Sequence, residues 1–287
     1  MPKVRIVTDS TAHFEDPGFP RRHNVTVVPL TIHFGQQSFR DGIDITTEQF
    51  FARLGESDSL PVAAAPTPAQ FAAAYGNVAR PGDAIVSIHV SGKLGGVCRN
   101  AAAAGESFRG RCDMHVVDSA TTSVGLGWLV EAAVRAAEAG EPADEVVRIV
   151  RGLVPRMYVL FFVDSPTLLV NSKRYGKAQA VLSNMLGIKP LLTIEEGDMA
   201  PMEKVRNRQQ AVEKLIEFVS EYSELENLAV LQGAPELTED TRQLLAQMVQ
   251  IFPGRRVPVL VYGPSLASFI GRGGMGIFVF EGQGYDD

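Results

Sequence analysis

The sequence predicts an α/β fold in two domains, on three observations. The first half alternates strand-like and helix-like segments, the pattern of a parallel or mostly parallel sheet flanked by helices. Three apolar runs in that half end in a Ser-rich or Gly-rich turn before helical sequence begins: Val4–Ile6 into Thr8-Asp9-Ser10-Thr11, Ala84–Val90 into Ser91-Gly92-Lys93-Leu94-Gly95-Gly96, and Met114–Val117 into Asp118-Ser119. Beyond Gly152–Pro155 the pattern changes to strand-like runs separated by longer helical segments, which predicts a second α/β domain. The expected division is residues 1–154 and 155–287.

Taken in order, Val4-Arg5-Ile6-Val7 alternates as a strand, and Val25–Phe34, rich in β-branched residues, reads as the next. Thr46-Thr47-Glu48-Gln49 has the form of a capping box opening a helix that carries Phe50, Phe51 and Leu54. Thr67-Pro68-Ala69-Gln70 is a second, with proline at the favoured first position of a helix that ends before Pro81-Gly82. Ala84–Val90 is a strand, Arg99–Ser107 a helix, Met114–Val117 a strand, and Trp128–Ala139 a helix closed by Gly140. After the boundary come strands at Met157–Val163, Leu191–Ile194, Leu228–Leu231, Val257–Tyr262 and Ile277–Phe280, with helices expected over Met202–Tyr222 and Thr238–Ile251.

Composition narrows the function classes. The 287 residues are 45% hydrophobic and 21% charged, an ordinary globular balance, and the net charge of −6 gives no electrostatic case for nucleic acid. Cys98 and Cys112 are too few for a disulfide framework or a thiolate metal site, and the five histidines show no ligand-type spacing with acidic partners. Neither a secretory leader nor a long uninterrupted apolar run is present, so a cytoplasmic protein without a membrane span or metal is expected.

At the carboxyl ends of parallel strands, hydroxyls and free backbone N–H groups gather, and helix N-termini favour an anion there. Ser10, Ser91, Gly92 and Ser119 occupy such positions. Ser91 reads as a hydroxyl donor to a bound oxyanion, beside the N–H groups of Gly92 and Lys93. His89, two residues earlier, would be its base in a hydrolase, but the Gly-x-Ser-x-Gly elbow is absent. Gly92–Gly96 lacks the Ser or Thr that follows lysine in a phosphate loop, so a phosphotransferase has little support. Asp9 and Asp118 could pair as carboxylates or merely cap turns. Thr67 reads as an N-cap, and Arg174, between Lys173 and Lys177, as a counter-ion for a carboxylate or phosphate. The glycine-dense stretch Gly263-Pro264-Ser265 to Gly271–Gly276, which includes Gly273, reads as a loop that closes over something.

Val7-Thr8-Asp9-Ser10, the strand into Ser91 with Lys93-Leu94, Val117-Asp118-Ser119 with Ser123–Gly127, Lys173-Arg174, Gly187-Ile188-Lys189-Pro190, Glu203–Arg206 and the glycine-rich tail together resemble the DegV family, in the family's order. The resemblance implies two α/β domains with an apolar tunnel between them for a long-chain fatty acid such as palmitate. It implies a non-catalytic, FakB-type carrier without cofactor that presents the carboxylate to a separate, FakA-type fatty acid kinase. By position, Ser91 matches the family's carboxylate-contacting serine and Arg174 an arginine near the ligand. Ala63-Ala64-Ala65-Pro66-Thr67 stands where the family has Thr-Ser-Gln-Pro-Ser, Leu94-Gly95-Gly96-Val97 where it has Leu-Ser-Gly-Thr, Phe269 where it has a histidine, and Arg272 where it has a proline.

Those departures remove two polar contacts from the head group and leave an acyl tail untouched. A desolvated carboxylate without donors costs several kcal/mol or takes up a proton, so Ser91, backbone N–H groups and an arginine are expected to carry it. Arg174→Ala is therefore expected to lower fatty-acid retention on the purified protein; unchanged retention removes Arg174 from the site.

Overall fold

The computed structural model describes residues 3–171 and 189–282. The first half supplies β1 (Val4–Asp9), β2 (Thr26–Val28), β3 (Thr31–Phe34), β4 (Gln37–Arg40), β5 (Pro61–Ala64), β6 (Ala84–His89) and β7 (Asp113–Asp118). Four of these form a wholly parallel sheet in the order β2-β1-β6-β7, and β4-β3-β5 form a small antiparallel one. Every residue of β6 is buried, as expected for a parallel strand covered on both faces.

Both capping boxes are present. After the short α1 (Phe19–Arg22), Thr46 Oγ1 accepts from Gln49 N while Gln49 Oε1 accepts from Thr46 N, opening α2 (Thr47–Glu56). Thr67 and Gln70 do the same for α3 (Pro68–Val78). Each such cap stabilises its helix by about 1 kcal/mol. There follow α4 (Val97–Gly105), α5 (Ser123–Glu138) and α6 (Ala143–Leu153).

The second half forms one six-stranded sheet. Its elements are β8 (Met157–Phe162), α7 (Pro166–Asn171), β9 (Lys189–Glu195), β10 (Asp198–Val205), α8 (Arg208–Ser220), β11 (Leu225–Gln232), α9 (Glu239–Ile251), β12 (Val259–Val261), α10 (Pro264–Ile270) and β13 (Met275–Glu281). The order is β10-β9-β8-β13-β11-β12, antiparallel throughout except for the β11–β12 pair.

Strand alternation divides this sheet's side chains between two cores. Leu160, Phe162, Ile277 and Val279 face α8 and α9, packing against Leu215, Phe218 and Leu244. Val159, Phe161, Ala229 and Phe278 face the other way, into a core shared with the first half. α5 lies in that shared core, in contact with β1 and β6 on one side and β13 on the other. Eleven of its residues are buried, and Trp128 sits against Phe278 and Phe280 at 6.5 and 6.2 Å between centroids. Two glycines permit this double contact. A Cβ on Gly127 would overlap the carbonyl of His13, and one on Gly125 would meet Thr121 Oγ1 at 2.8 Å and Phe278 at 3.4 Å.

The structure corrects several expectations. Val25–Phe34 is not one strand: Pro29 cannot donate to a ladder, and β2 and β3 on either side of it enter different sheets. No helix follows β1 directly, since the chain first runs beside α5 through an Ala12–Ser123 bridge. α5 begins at Ser123, ahead of the expected Trp128. Met202–Val205 belongs to strand β10, and only Arg208–Ser220 is helical. Gly263-Pro264 opens helix α10 and is not a loop.

Gly127→Ala is expected to cost about 3 kcal/mol or prevent folding, because the added atom meets backbone that has nowhere to move. Gly152→Ala, in α6 with open space around the new Cβ, should instead raise stability by up to about 1 kcal/mol. Urea-unfolding midpoints of the two variants check this contrast.

Candidate functional site

The strand order places β2 on one side of β1 and β6 on the other, so the order in which strands are added reverses between β1 and β6 while all four stay parallel. The carboxyl edge at such a point is where open α/β sheets receive ligands. Asp9 ends β1 and His89 ends β6, and the two meet there. Asp9 Oδ2 faces His89 Nδ1 at 3.0 Å and accepts from Val90 N at 3.0 Å. Asp9 Oδ1 accepts from Thr11 N at 3.0 Å and Thr11 Oγ1 at 2.6 Å. Desolvation pushes this buried carboxyl up, but the hydrogen bond and charge of His89, with the bonds from Thr11 and Val90, outweigh it and hold Asp9 below the ordinary range.

The hydrogen bond with Asp9 orients the imidazole through Nδ1, and its Nε2 meets Ser87 Oγ at 2.6 Å. Ser87 Oγ in turn meets Tyr75 OH at 2.9 Å, and burial pushes the Tyr75 hydroxyl up to about 12. Asp9, His89, Ser87 and Tyr75 are all fully buried, with Phe71 edge-on to the imidazole at 5.0 Å. The groups form an acid–base–hydroxyl relay sealed from solvent. His89 is thus a satisfied core histidine, and it is not the base of Ser91.

Ser91 is buried at the same edge, but its hydroxyl proton goes to Gly197 O at 2.6 Å. The expected free donors are also taken: Gly92 N bonds Asp118 Oδ2 at 3.0 Å and Lys93 N bonds Ser91 Oγ at 3.3 Å. Asp118 is exposed and closes its own turn through Ala120 N, so it does not pair with Asp9. Gly197 comes from the β9–β10 hairpin, whose central residues Glu196 and Gly197 have φ of 48° and 84°, the tight turn that suits strand twist. That hairpin tip crosses from the second half to lie on Ser91.

The other predicted residues separate. Ser119 Oγ bonds Thr121 O and accepts from Thr121 N, a local turn. Thr67 is exposed and serves as the α3 cap alone. Gly273 lies in a small polar pocket with Arg208 and Arg272, its carbonyl accepting from Arg208 Nη1 at 2.8 Å, next to the Asp164–Lys189 ion pair. Arg174, with Lys173 and Lys177, lies outside the described residues.

Phe269 does line a cavity in the seam between the halves. Leu30, Val90, Leu94 and Val97 line it from the first half, and Met199, Leu266 and Phe269 from the second. Thr11, Thr122 and Ser265 complete the wall, around a volume of about 30 Å³. A wider groove of about 580 Å³ adjoins it, lined by Ser10, His13, Asp41, Ile43 and β12. Between the two stands a residue that sequence reasoning missed. Asp41 Oδ2, 3% exposed, accepts from Ser10 Oγ at 3.0 Å on the groove side and from Ser265 Oγ on the cavity side. Ser10 Oγ accepts from Leu30 N, and Thr47 Oγ1 bonds Tyr262 O, so this cluster ties the first half to the start of α10. Nothing local in Arg40-Asp41-Gly42 distinguishes Asp41 from a turn aspartate.

Among the described residues no group of acidic, histidine or cysteine side chains could hold a metal, and no helix is long and apolar enough to cross a membrane.

Comparison with known proteins places these features in a family context. The model of the DegV family, described as "Uncharacterised protein, DegV family", matches residues 3–282. A DegV domain-containing protein of Streptomyces coelicolor is 34% identical over 219 residues, covering 76% of each chain. A DegV family protein of Thermus thermophilus, whose structure is described by its fatty acid binding, superposes with a TM-score of 0.85 at 28% identity, covering 97% of this chain and 99% of that one. DegV of Bacillus subtilis, described as a fatty acid binding protein, superposes with a TM-score of 0.86 at 23% identity over 98% and 100% of the two chains, which bears on the fold.

Desolvation raises the Asp41 carboxyl from 3.8 to about 6, against the hydrogen bonds of Ser265 and Ser10 that lower it. Its folded value exceeds its unfolded one, so the stability it contributes is complete below about pH 4 and is lost as pH rises through about 6. The shift corresponds to about 3 kcal/mol. Asp41→Asn, which keeps the acceptor for Ser265, should therefore gain stability relative to wild type between pH 4 and pH 7; parallel urea midpoints for the two proteins across that range would remove Asp41 as the source.

Proposed function

This chain belongs to the DegV family, and from that premise we propose that it binds a long-chain fatty acid at the seam between its two halves. The observation that carries the reading is the seam cavity itself, where seven of ten lining residues are apolar and both halves contribute. As it stands the cavity has about the volume of one water. An acyl chain enters by turning side chains aside, and Met199, unbranched and adaptable, is suited to move. Each methylene buried there contributes ~0.8 kcal/mol, so the tail supplies most of the affinity. The likeness to the Thermus thermophilus protein, over nearly the whole chain, supports the same ligand class.

The polar chemistry supports a carrier in preference to a hydrolase. His89 spends both nitrogens on Asp9 and Ser87, so Ser91 has no base. In this proposal the protein works in the cytoplasm without a cofactor and presents the carboxyl end to a separate ATP-dependent kinase of the FakA type, which carries out the phosphoryl transfer.

Organic extraction of the purified protein followed by mass spectrometry is expected to release a long-chain fatty acid. Recovery of a different amphiphile, or no lipid together with no uptake of added palmitate, overturns the proposal.

A further inference from the structure

The wide groove beside the seam cavity has a one-sided polar lining. Besides Ser10 it holds His13, Glu15 and Asp41, and among the described residues no lysine or arginine lines it. Glu15 is already paired with Arg256. Asp41 is not paired: its buried carboxyl is held by the hydroxyls of Ser10 and Ser265, with no cationic side chain against it among the described residues. The charge that does act on it is that of Asp9, which disfavours ionisation further. Burial pushes this carboxyl up to about 6, so at neutral pH most of the charge is present and lacks a counter-ion. His13 adds a second acceptor. A carbonyl only accepts, so the 3.1 Å contact with Thr11 O puts a proton on His13 Nδ1. Desolvation holds the imidazole below its ordinary range, so the ring is neutral and Nε2 carries a lone pair. A Cβ on Gly263 would stand 3.1 Å from His13 Nε2 and 3.9 Å from Asp41 Oδ1, so the two acceptors converge on one spot.

We propose that this groove is a second ligand site, which takes an organic cation: a primary amine carried on an apolar body. The ammonium donates to the Asp41 carboxylate and to His13 Nε2, and the body lies along Phe14, Val27, Ile43 and Leu260. Charge complementarity selects this class. An anion would find no cation to receive it, and a neutral molecule would leave Asp41 uncompensated. A cation there offsets desolvation that the fold already bears, in a setting where salt screens a charge pair little. The volume of about 580 Å³ is in the range of small-molecule sites, and the walls are mostly apolar with a few converging polar groups, as such sites are. The inference stands apart from the fatty-acid reading, since Asp41 separates this groove from the seam cavity.

Tryptamine and tryptophol share one skeleton and differ in bearing an ammonium or a hydroxyl, so they serve as probes. Titration calorimetry on the full chain is expected to show tryptamine binding about tenfold or more tighter than tryptophol, the range for a hydrogen bond to a charged group. Asp41→Asn keeps an acceptor for Ser265 and deletes the charge, and it should abolish that difference by weakening tryptamine alone. His13→Phe keeps a ring and removes the acceptor, and it should weaken tryptamine about fivefold. Because it leaves Asp41 and both serines in place, it tests the site even if the asparagine variant folds poorly. In spectra of methyl-labelled protein, tryptamine should shift Ile43, in the groove, and leave Met199, in the seam cavity, unmoved. Equal affinity of the wild type for the two probes, unchanged tryptamine affinity in Asp41→Asn, or a shift at Met199 in place of Ile43 overturns the assignment.

Discussion

The architecture depends on burying one helix, α5, between two sheets. A helix covered on both sides must be apolar nearly all round and must let backbone approach at its narrowest points. Val124-Gly125-Leu126-Gly127 meets both demands, with Gly127 against the chain at His13 and Gly125 toward Phe278. Because β1, β6 and β13 all contact this helix, its position sets the distance between the parallel sheet and the mixed one. The same placement brings the uncapped start of α5 to the seam, where residues of both halves enclose a cavity.

Around that helix start, the polar groups of the carboxyl edge are almost completely satisfied by one another. Asp9 receives four hydrogen-bonding groups, His89 uses both nitrogens, and Ser91, Gly92 and Lys93 all have acceptors. In low dielectric each unpaired group would cost more than a completed bond returns, so a sealed edge of this kind is the stable outcome. Serine, histidine and aspartate meeting at a switch point therefore serve here to join β1 to β6. Residue type alone does not distinguish such a joint from a catalytic relay; burial and the identity of each partner do.

Much of the fold was legible locally. The caps at Thr46 and Thr67, the wholly buried β6 and the Asp-Ser turns each show in a short window, because propensity, capping and alternation act over a few residues. What escaped depends on distant partners. Pro29 shows a break, but not that β3 leaves to pair with β4 and β5. Met202–Val205 looks helical until the ladder of Glu203–Val205 with Lys189–Leu191 is seen. The site followed the same division: the strand ends were correctly placed, yet the donors of Ser91 and Gly92 were taken by Gly197 and Asp118, and Asp41 emerged only through Ser10 and Ser265.

The contact between Ser91 and Gly197 lets one half of the chain complete the hydrogen bonding of the other. The hairpin carbonyl takes the serine hydroxyl as an external oxygen would, so the polypeptide supplies from within itself the acceptor this buried group needs. Displacing the hairpin tip would strand that hydroxyl, which couples the seating of the β9–β10 turn to the integrity of the carboxyl edge.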